Sequence, residues 1–399
     1  MEFCFFTIKN LLLLKKSHIW LIFIYTYHMT KDKIALVRGF RDLTNNEGDK
    51  YNYIISVCKQ VGYSMGFSYA HLPIVEYVEL FRRGMEFSDL VTKEMFILED
   101  HAYCLRPEIT ASAVRALSHS GDNNIRMMYD GPCFRYERPQ KGRYRQFSQF
   151  GCEFFGEKFS EFDMFVIIDR IMKQLGIKYK LIINDIGTLE ERKTYEEVLR
   201  KYVIDHYSSY SVDSQRRCDS GRCLRILDSK LDVEINENAP RICDFISNKT
   251  YFLTLCDFLK TNHIDFKVDY NLVRGLDYYN GMVFEIISED YKVDSQQTAI
   301  GGGGRYDDLP EILGAKQVAY GCGFALGIDR LMECIEYKNN NKYNIVILEE
   351  DFSPELLSKA YGEYTNVINL GINASPKKFH GKIDNVIYIS KDNIIVKTI

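Results

Sequence analysis

Residues Phe147–Phe155, FSQFGCEFF, alternate as a strand does, and they come directly after a loop of unusual charge. Successive side chains of a strand point to opposite faces. One face then carries Ser148, Phe150, Cys152 and Phe154, mostly apolar and suited to a core. The other carries Phe147, Gln149, Gly151, Glu153 and Phe155. Gln149 and Glu153 therefore look the same way, and Gly151 between them leaves room for a ligand. Upstream, Arg126–Asp130 and Cys133–Glu137 predict a strand interrupted by the Gly131-Pro132 pair, with Arg135 and Glu137 on one face. Four arginines and a lysine (Arg135, Arg138, Lys141, Arg143, Arg145) surround Glu137 in the loop. Arginine stays protonated and grips phosphate oxygens in a plane, so such a cluster beside a polar pocket suits a nucleoside triphosphate and a small partner. A solvated basic hairpin has the same composition, and the rest of the chain has to decide between them.

A chain of 399 residues is too long for one core, so two or three domains are expected. Its apolar fraction of 46% and charged fraction of 27% are those of a soluble globular protein. A formal charge of −4 argues against a protein that coats nucleic acid indiscriminately, while leaving room for a local basic patch. The eleven cysteines contain no Cys-x-x-Cys pair, the nearest two being Cys218 and Cys223. Neither a zinc site nor a disulfide is expected from that pattern, which suits a reducing, cytoplasmic setting.

Residues 1–28 differ in character from the rest of the chain. Leu11–Leu14 is broken by Lys15 and Lys16, and Ile19–Tyr27 is far shorter than the ~20 apolar residues a membrane span needs. No small-residue cleavage site comes after it and the segment has no arginine, so neither a signal nor a transit peptide is expected. Met29 opens an ordinary start, and residues 1–28 are expected to be a spurious or disordered extension.

Asp49–Met65 has helical periodicity, and Ser68–Ile74 reads as an extended piece ending near Pro73. Helices are predicted over Asp163–Leu175 and Glu190–Tyr207, and residues from about 190 to 265 as a whole read as a helical insertion. Asn339–Asn341 marks a linker. Beyond it, strands at Tyr343–Leu348, Val367–Leu370, Asn385–Ser390 and Ile394–Ile399, with a helix at Pro354–Tyr361, predict a small α/β module over 342–399.

Further constellations add to the charged loop. Asn280-Gly281 between β-rich runs predicts a tight hairpin, with Arg274, Tyr278 and Tyr279 just ahead of the reversal. Four glycines precede Arg305 in AIGGGGRYDDL; they match neither a P-loop nor a dinucleotide fingerprint, but they let a backbone approach a flat base or sugar closely. Ala319–Met332 passes from strand to helix, with Arg330 one to two turns in and able to meet a phosphate. Glu108 and Thr110 come after Pro107 at a helix start, where a carboxylate is stabilised whether or not it binds a ligand.

Taken together, these segments resemble the histidyl-tRNA synthetases, of the class II aminoacyl-tRNA synthetases, over roughly residues 35 to 335. FRYE at Phe134–Glu137 is similar to that class's second motif, Gly321–Arg330 to its third, and the region ending at Pro73 to its first. LVRGLDYY at Leu272–Tyr279 and LRPEIT at Leu105–Thr110 resemble segments peculiar to the histidine enzymes. The resemblance implies an α+β fold: a mainly antiparallel class II sheet flanked by helices over residues 29–335, a helical insertion, and a C-terminal anticodon-binding-like domain. It implies a cytoplasmic homodimer that activates histidine with ATP and Mg²⁺ and transfers it to the 3′ end of tRNA(His), without zinc and without a membrane. Arg135, Arg274 and Arg330 would be catalytic. Arg135 would hold the α-phosphate, Glu137 the adenine edge and Arg330 the γ-phosphate, with Arg143 completing the ATP set. Arg274 would be a second cation on the α-phosphate. Glu153 and Tyr279 would read the imidazole, Glu108, Thr110 and Gln149 the α-amino group, and Arg274 and Tyr278 would complete the histidine set.

Two departures stand beside the resemblance: Ile109 occupies a place where the family often has a smaller residue, and the C-terminal module is short. The second favours an alternative, a non-catalytic paralogue like the regulatory subunit of ATP phosphoribosyltransferase. The arginines oppose it, because a protein that only senses histidine has no need to surround a triphosphate with cations.

Overall fold

The computed structural model describes residues 34–85, 88, 90–291, 299–338, 342–379 and 381–399. The expected extension at 1–28 and the linker at Asn339–Asn341 lie outside the described residues. The chain divides into two compact units, residues up to 42 with 57–334, and residues 43–56 with 335–399.

The first unit carries β1 (Ser68–Tyr69), β2 (Val75–Tyr77), β3 (Phe96–Ile97), β4 (Tyr103–Leu105), β5 (Ile125–Phe134), β6 (Gln146–Phe155), β7 (Lys180–Asp185), β8 (Phe266–Val268), β9 (Met282–Ile287), β10 (Ala299–Arg305) and β11 (Gly321–Gly327). Eight of these form one sheet in the order β1-β5-β6-β11-β10-β9-β7-β8. Only the outer pairs, β1 with β5 and β7 with β8, are parallel; every inner pair is antiparallel. The fold is therefore α+β with a mainly antiparallel sheet, as expected. A small antiparallel sheet, β2-β4-β3, stands beside it.

Period-two alternation sorts the sheet into two faces. Phe154 packs edge-on against Phe67 at 4.9 Å, and Phe284 against Phe165 of the helix Glu161–Leu175 at 5.0 Å, so one face is sealed by aromatic packing. That helix is apolar along one side, and Gly176 at φ 69° ends it in the left-handed conformation that glycine adopts freely. The opposite face carries Gln149, Glu153, Glu285 and the open cavity described below.

Two local expectations are corrected here. The strand over Ile125–Phe134 is not interrupted at Gly131-Pro132; it pairs without a break from Ile125↔Phe155 to Phe134↔Gln146. Proline is tolerated because β1 pairs β5 only at Met127 and Met128, so the edge at Pro132 needs no further amide. A side chain at Gly131 would collide with Arg106, whose guanidinium donates to the carbonyls of Pro132 and Leu72, each at 2.9 Å. The Asn280-Gly281 hairpin does not form either. Gly281 has φ 62°, but Asn280 has no positive φ, and a two-residue primed turn of this type needs both. Residues 272–281 instead run as an irregular segment, pinned by Asn280 N donating to Arg305 O and Gly281 N to Gly187 O.

Between β7 and β8 every described regular element is helical, including Leu189–Asp205, Val212–Asp219 and Thr250–Thr261. Thr188 and Glu191 form a capping box that opens the first of these. Asp232 accepts from the hydroxyls of Ser211, Ser214 and Ser229 and so ties its turns together. The described cysteines are free thiols. No helix among the described residues is long and apolar enough to cross a membrane.

The second unit holds β12 (Lys342–Leu348), β13 (Val367–Ile372), β14 (Lys382–Ile389) and β15 (Ile394–Thr398) in the order β13-β12-β14-β15. Its helix Pro354–Glu363 starts where Ser353 accepts from Leu356 N at 3.2 Å. Val346, Leu348, Ile387 and Ile389 make one core with Ala360, while Ile345, Ile347 and Val386 make a second.

Candidate active site

A cavity of about 1030 Å³ opens on the polar face of the main sheet in the first unit. Its wall includes Glu108, Thr110, Arg135, Glu137, Arg143, Gln149, Arg274, Tyr278, Tyr279 and Arg330. Of the residues expected to form the ATP and histidine sets, only Glu153 is missing from that wall.

One end of the cavity is cationic. The loop after β5 is closed by Arg135 N donating to Arg145 O and by the reciprocal pair between Gln140 and Arg143, with Gly142 at φ 70° making the reversal. Arg135 donates Nε to Pro107 O at 2.9 Å and lies 5.1 Å from the centre of the Phe147 ring. Arg143 pairs with Glu137. Arg330 is the third residue of the helix Ile328–Cys334, nearer its start than expected, and donates Nη1 to Ala299 O and Nε to Gly142 O. Burial pushes the Arg330 guanidinium below its usual pKa, and the neighbouring Arg135 and Arg274 push the same way. Arg143 is lowered too, by burial and by Arg330 and Arg135. Guanidinium groups remain protonated at these shifts, so the mutual repulsion is a standing positive potential that an anion relieves.

The other end is a closed polar network. Glu108 accepts from Thr110 N at 2.6 Å and Ala111 N at 2.9 Å at the start of the helix Thr110–Ser120, and burial raises its pKa in spite of those bonds. Glu153 is 1% exposed and lies behind the cavity wall. Its carboxylate accepts from Thr110 Oγ1 at 2.8 Å, Tyr129 OH at 2.6 Å and Tyr306 OH. Burial lifts its pKa to about 8, against the pull of the three hydroxyls.

Glycines opposite large side chains explain this fit. Gly151 pairs with Tyr129 across β5 and β6, and a Cβ there would stand 2.5 Å from the Tyr129 hydroxyl. The room expected for a ligand at Gly151 is thus filled by Tyr129, a correction that only strand register could supply. Gly323 pairs with Glu153 across β6 and β11, and a Cβ at Gly323 would overlap the carboxylate.

Tyr278 and Tyr279 lie 4.7 Å apart between ring centres with their planes tilted by 51°, and both pack edge-on against Tyr306. Burial raises Tyr279 to about 12, so its phenol stays a neutral hydrogen-bonding group. Gln149 Oε1 accepts from Cys133 Sγ at 3.2 Å. Arg274 also lines the cavity, and its Nη1 donates to Glu285 Oε1 at 2.6 Å.

Tyr306 and Glu285 were missed in the sequence. Arg305 drew attention beside the glycines, yet it turns to the helical face and grips Glu161 with Nε and Nη2, each at 2.6 Å. Strand parity was the available signal, because residue 305 cannot share a face with Gly302 and Gly304. The insertion also reaches the cavity through Arg217, Arg225, Asp228 and Lys230, which no spacing in the sequence announced. Among the described residues no group of three or more His, Cys, Asp or Glu side chains could hold a metal ion.

The sequence profile of the histidyl-tRNA synthetase family matches residues 39–190 and 229–331. A histidine–tRNA ligase of Sulfurimonas denitrificans is 40% identical over 317 residues, covering 76% of this chain and 77% of that protein. One from Lactococcus lactis subsp. cremoris is 40% identical over 327 residues, 77% of this chain and 75% of that protein. Among solved structures, the apo histidyl-tRNA synthetase of S. aureus superposes with a TM-score of 0.72 at 28% identity, over 92% of this chain and 95% of that one. A protein of Bacillus halodurans described as an ATP phosphoribosyltransferase regulatory subunit/histidyl-tRNA synthetase shares the fold, with a TM-score of 0.63 at 19% identity, over 89% of this chain and 97% of that one.

Proposed function

Because the chain belongs to the histidyl-tRNA synthetase family, we propose that this cavity is where histidine and ATP become histidyl-adenylate before histidine passes to the 3′ end of tRNA(His). The protein is an aminoacyl-tRNA synthetase, a histidine–tRNA ligase. The observation that carries the site assignment is the convergence of Arg135, Arg143, Arg274 and Arg330 on the same cavity as Glu108, Gln149 and Tyr279.

In the first step a carboxylate oxygen of histidine attacks the α-phosphorus of ATP, the bond to the bridging oxygen breaks, and pyrophosphate leaves. No protein side chain becomes covalent. Catalysis is alignment plus stabilisation of the extra negative charge on the pentavalent phosphorus. Arg135 and Arg274 hold the α-phosphate, Arg330 holds the γ-phosphate, and Glu137 with Arg143 frames the nucleotide. Glu108, Thr110 and Gln149 take the α-amino group, Tyr278 and Tyr279 wall the imidazole, and Glu153 fixes the hydroxyls around it. A wrong amino acid would leave buried polar groups unpaired there, which can reject it by ~10⁴-fold. Magnesium would arrive as the counter-ion of the triphosphate, since the carboxylates Glu137, Glu285 and Asp329 are already engaged by Arg143, Arg274 and Arg41.

A homodimer fits the same picture. Val75 and Tyr77, two apart on β2, and Tyr103, which pairs with Tyr77 from β4, are exposed on the same face of the small sheet and make an apolar patch there. The work would take place in the cytoplasm, where free thiols persist. A purely regulatory paralogue has no physical use for the cation cluster, and a likeness at 19% identity speaks to the fold alone.

The test is ATP–pyrophosphate exchange on protein whose mass is measured by sedimentation. Histidine-dependent exchange by a dimer is expected. Folded protein without exchange would sink the catalytic reading, and a monomeric mass the dimer.

A further inference from the structure

Arg274 belongs to an irregular segment with no ladder of hydrogen bonds to fix it, yet its side chain is only 19% exposed and its guanidinium is closely held. Its seat is made by register. Gly302 on β10 pairs directly with Glu285 on β9, so a vacant Cβ position and a carboxylate stand side by side on the cavity face. A Cβ at Gly302 would lie 2.9 Å from both Cζ and Nη1 of Arg274. The guanidinium therefore lies over the bare glycine, with Nη1 drawn to Glu285 Oε1 at 2.6 Å. Nε is buried and has no protein partner. A planar fork fixed at one corner and pressed on one side has little freedom of orientation left. An unmade bond from a buried donor is costly, so the Nε edge is the side kept for something other than protein.

Resting on the adenylate-forming site assigned above, we propose that Glu285 is the positioning residue for Arg274, fixing its plane so that the Nε edge meets the α-phosphate. Glu285 does not touch the reacting atoms. It acts through Arg274, and a carboxylate is needed because it anchors one corner of the fork while leaving the far edge undistorted. Misplacing a catalytic group by about 1 Å costs on the order of 10²-fold in rate.

The experiment is a double-mutant cycle of Arg274→Ala and Glu285→Ala in pyrophosphate exchange, with Glu285→Gln as the conservative variant. Glu285→Ala should lower kcat about 10- to 100-fold with little change in the KM for histidine, and Glu285→Gln, whose amide oxygen still accepts from Nη1, should recover most of it. The double variant should be no worse than Arg274→Ala alone, because residues acting as one unit are not additive. Multiplicative losses, or a histidine KM that rises in step with the fall in kcat, would overturn the proposal. So would a raised half-saturation by magnesium in Glu285→Ala, which would make the carboxylate a metal ligand. If the wild-type protein itself does not exchange, the adenylate-forming reading fails, while the same cycle read as ATP affinity still tests whether Glu285 acts through Arg274.

Discussion

The two ends of the cavity treat their ionisable groups in opposite ways. At the cationic end, proposed to take the phosphates, Arg135 and Arg330 face open space and donate to the carbonyls of Pro107, Ala299 and Gly142, neutral groups that orient a guanidinium without cancelling its charge. At the other end, proposed to take the amino acid, Glu153 is shut behind the wall, and the hydroxyls of Thr110, Tyr129 and Tyr306 take up its acceptor positions. The first arrangement is a potential waiting for an anion. The second is a finished network that tolerates little change, and it fixes the shape of the pocket in front of it. Rate should therefore depend on the open end and selectivity on the closed one.

Arg330→Ala should break the comparison most visibly. Removing one donor aimed at developing charge typically costs 10²–10³-fold in rate, roughly 3–4 kcal/mol, and here it also relieves repulsion from Arg135 and Arg274. Exchange activity should fall by that order while the melting temperature holds or rises slightly. A large drop in melting temperature would show instead that Arg330 belongs to the scaffold.

The sequence disclosed the open end better than the closed one, for a physical reason. Arg135, Glu137 and Arg143 lie close together in one loop, and alternation along Phe147–Phe155 assigns Gln149 to a face without knowledge of the neighbours. The partners of Glu153 come from β5, from the start of the helix Thr110–Ser120 and from the residue after β10. Only pairing register brings them together. The same gap misled the reading of Gly151, since nothing along β6 says that its cross-strand neighbour is Tyr129. Asn280-Gly281 misled for a different reason: the local turn signal was present, but tertiary hydrogen bonds to Arg305 and Gly187 claimed the backbone. The strands between 342 and 398 were legible almost one by one, because short apolar runs such as Ile345–Leu348 and Val386–Ile389 are bounded on both sides by polar residues.

Gly323→Ala sharpens the contrast at the closed end. The added methyl would overlap the Glu153 carboxylate and come within 2.8 Å of Cys152 O, so the carboxylate must leave its three hydroxyls. Overpacking of this kind costs about 1–3 kcal/mol. Loss of histidine affinity with ATP affinity nearly kept is expected from calorimetry with each ligand. Equal losses for both ligands would mean that the two ends are not separable.

The smallest effect, taken per pH unit, isolates Glu153 itself. Its pKa in the folded protein is raised from the ordinary 4.5 to about 8, chiefly by burial. The folded state therefore binds more protons than the unfolded state between those limits, so this group's contribution to stability is complete below about 4.5 and is lost as pH rises through about 8. Glu153→Gln keeps the shape and removes the titration, and shifts at groups that do not interact with Glu153 are common to both proteins and cancel in the difference. Denaturant unfolding of the pair across pH 5 to 9 should show the stability of wild type falling relative to the variant, with a slope of at most about 1.4 kcal/mol per pH unit and a plateau above about 8. A difference that stays level across that range would mean that the carboxylate is ionised throughout, held so by its hydroxyl donors in spite of its burial. The closed end would then carry a standing negative charge, facing the cations across the cavity, and histidine recognition would have to be rewritten around an anion.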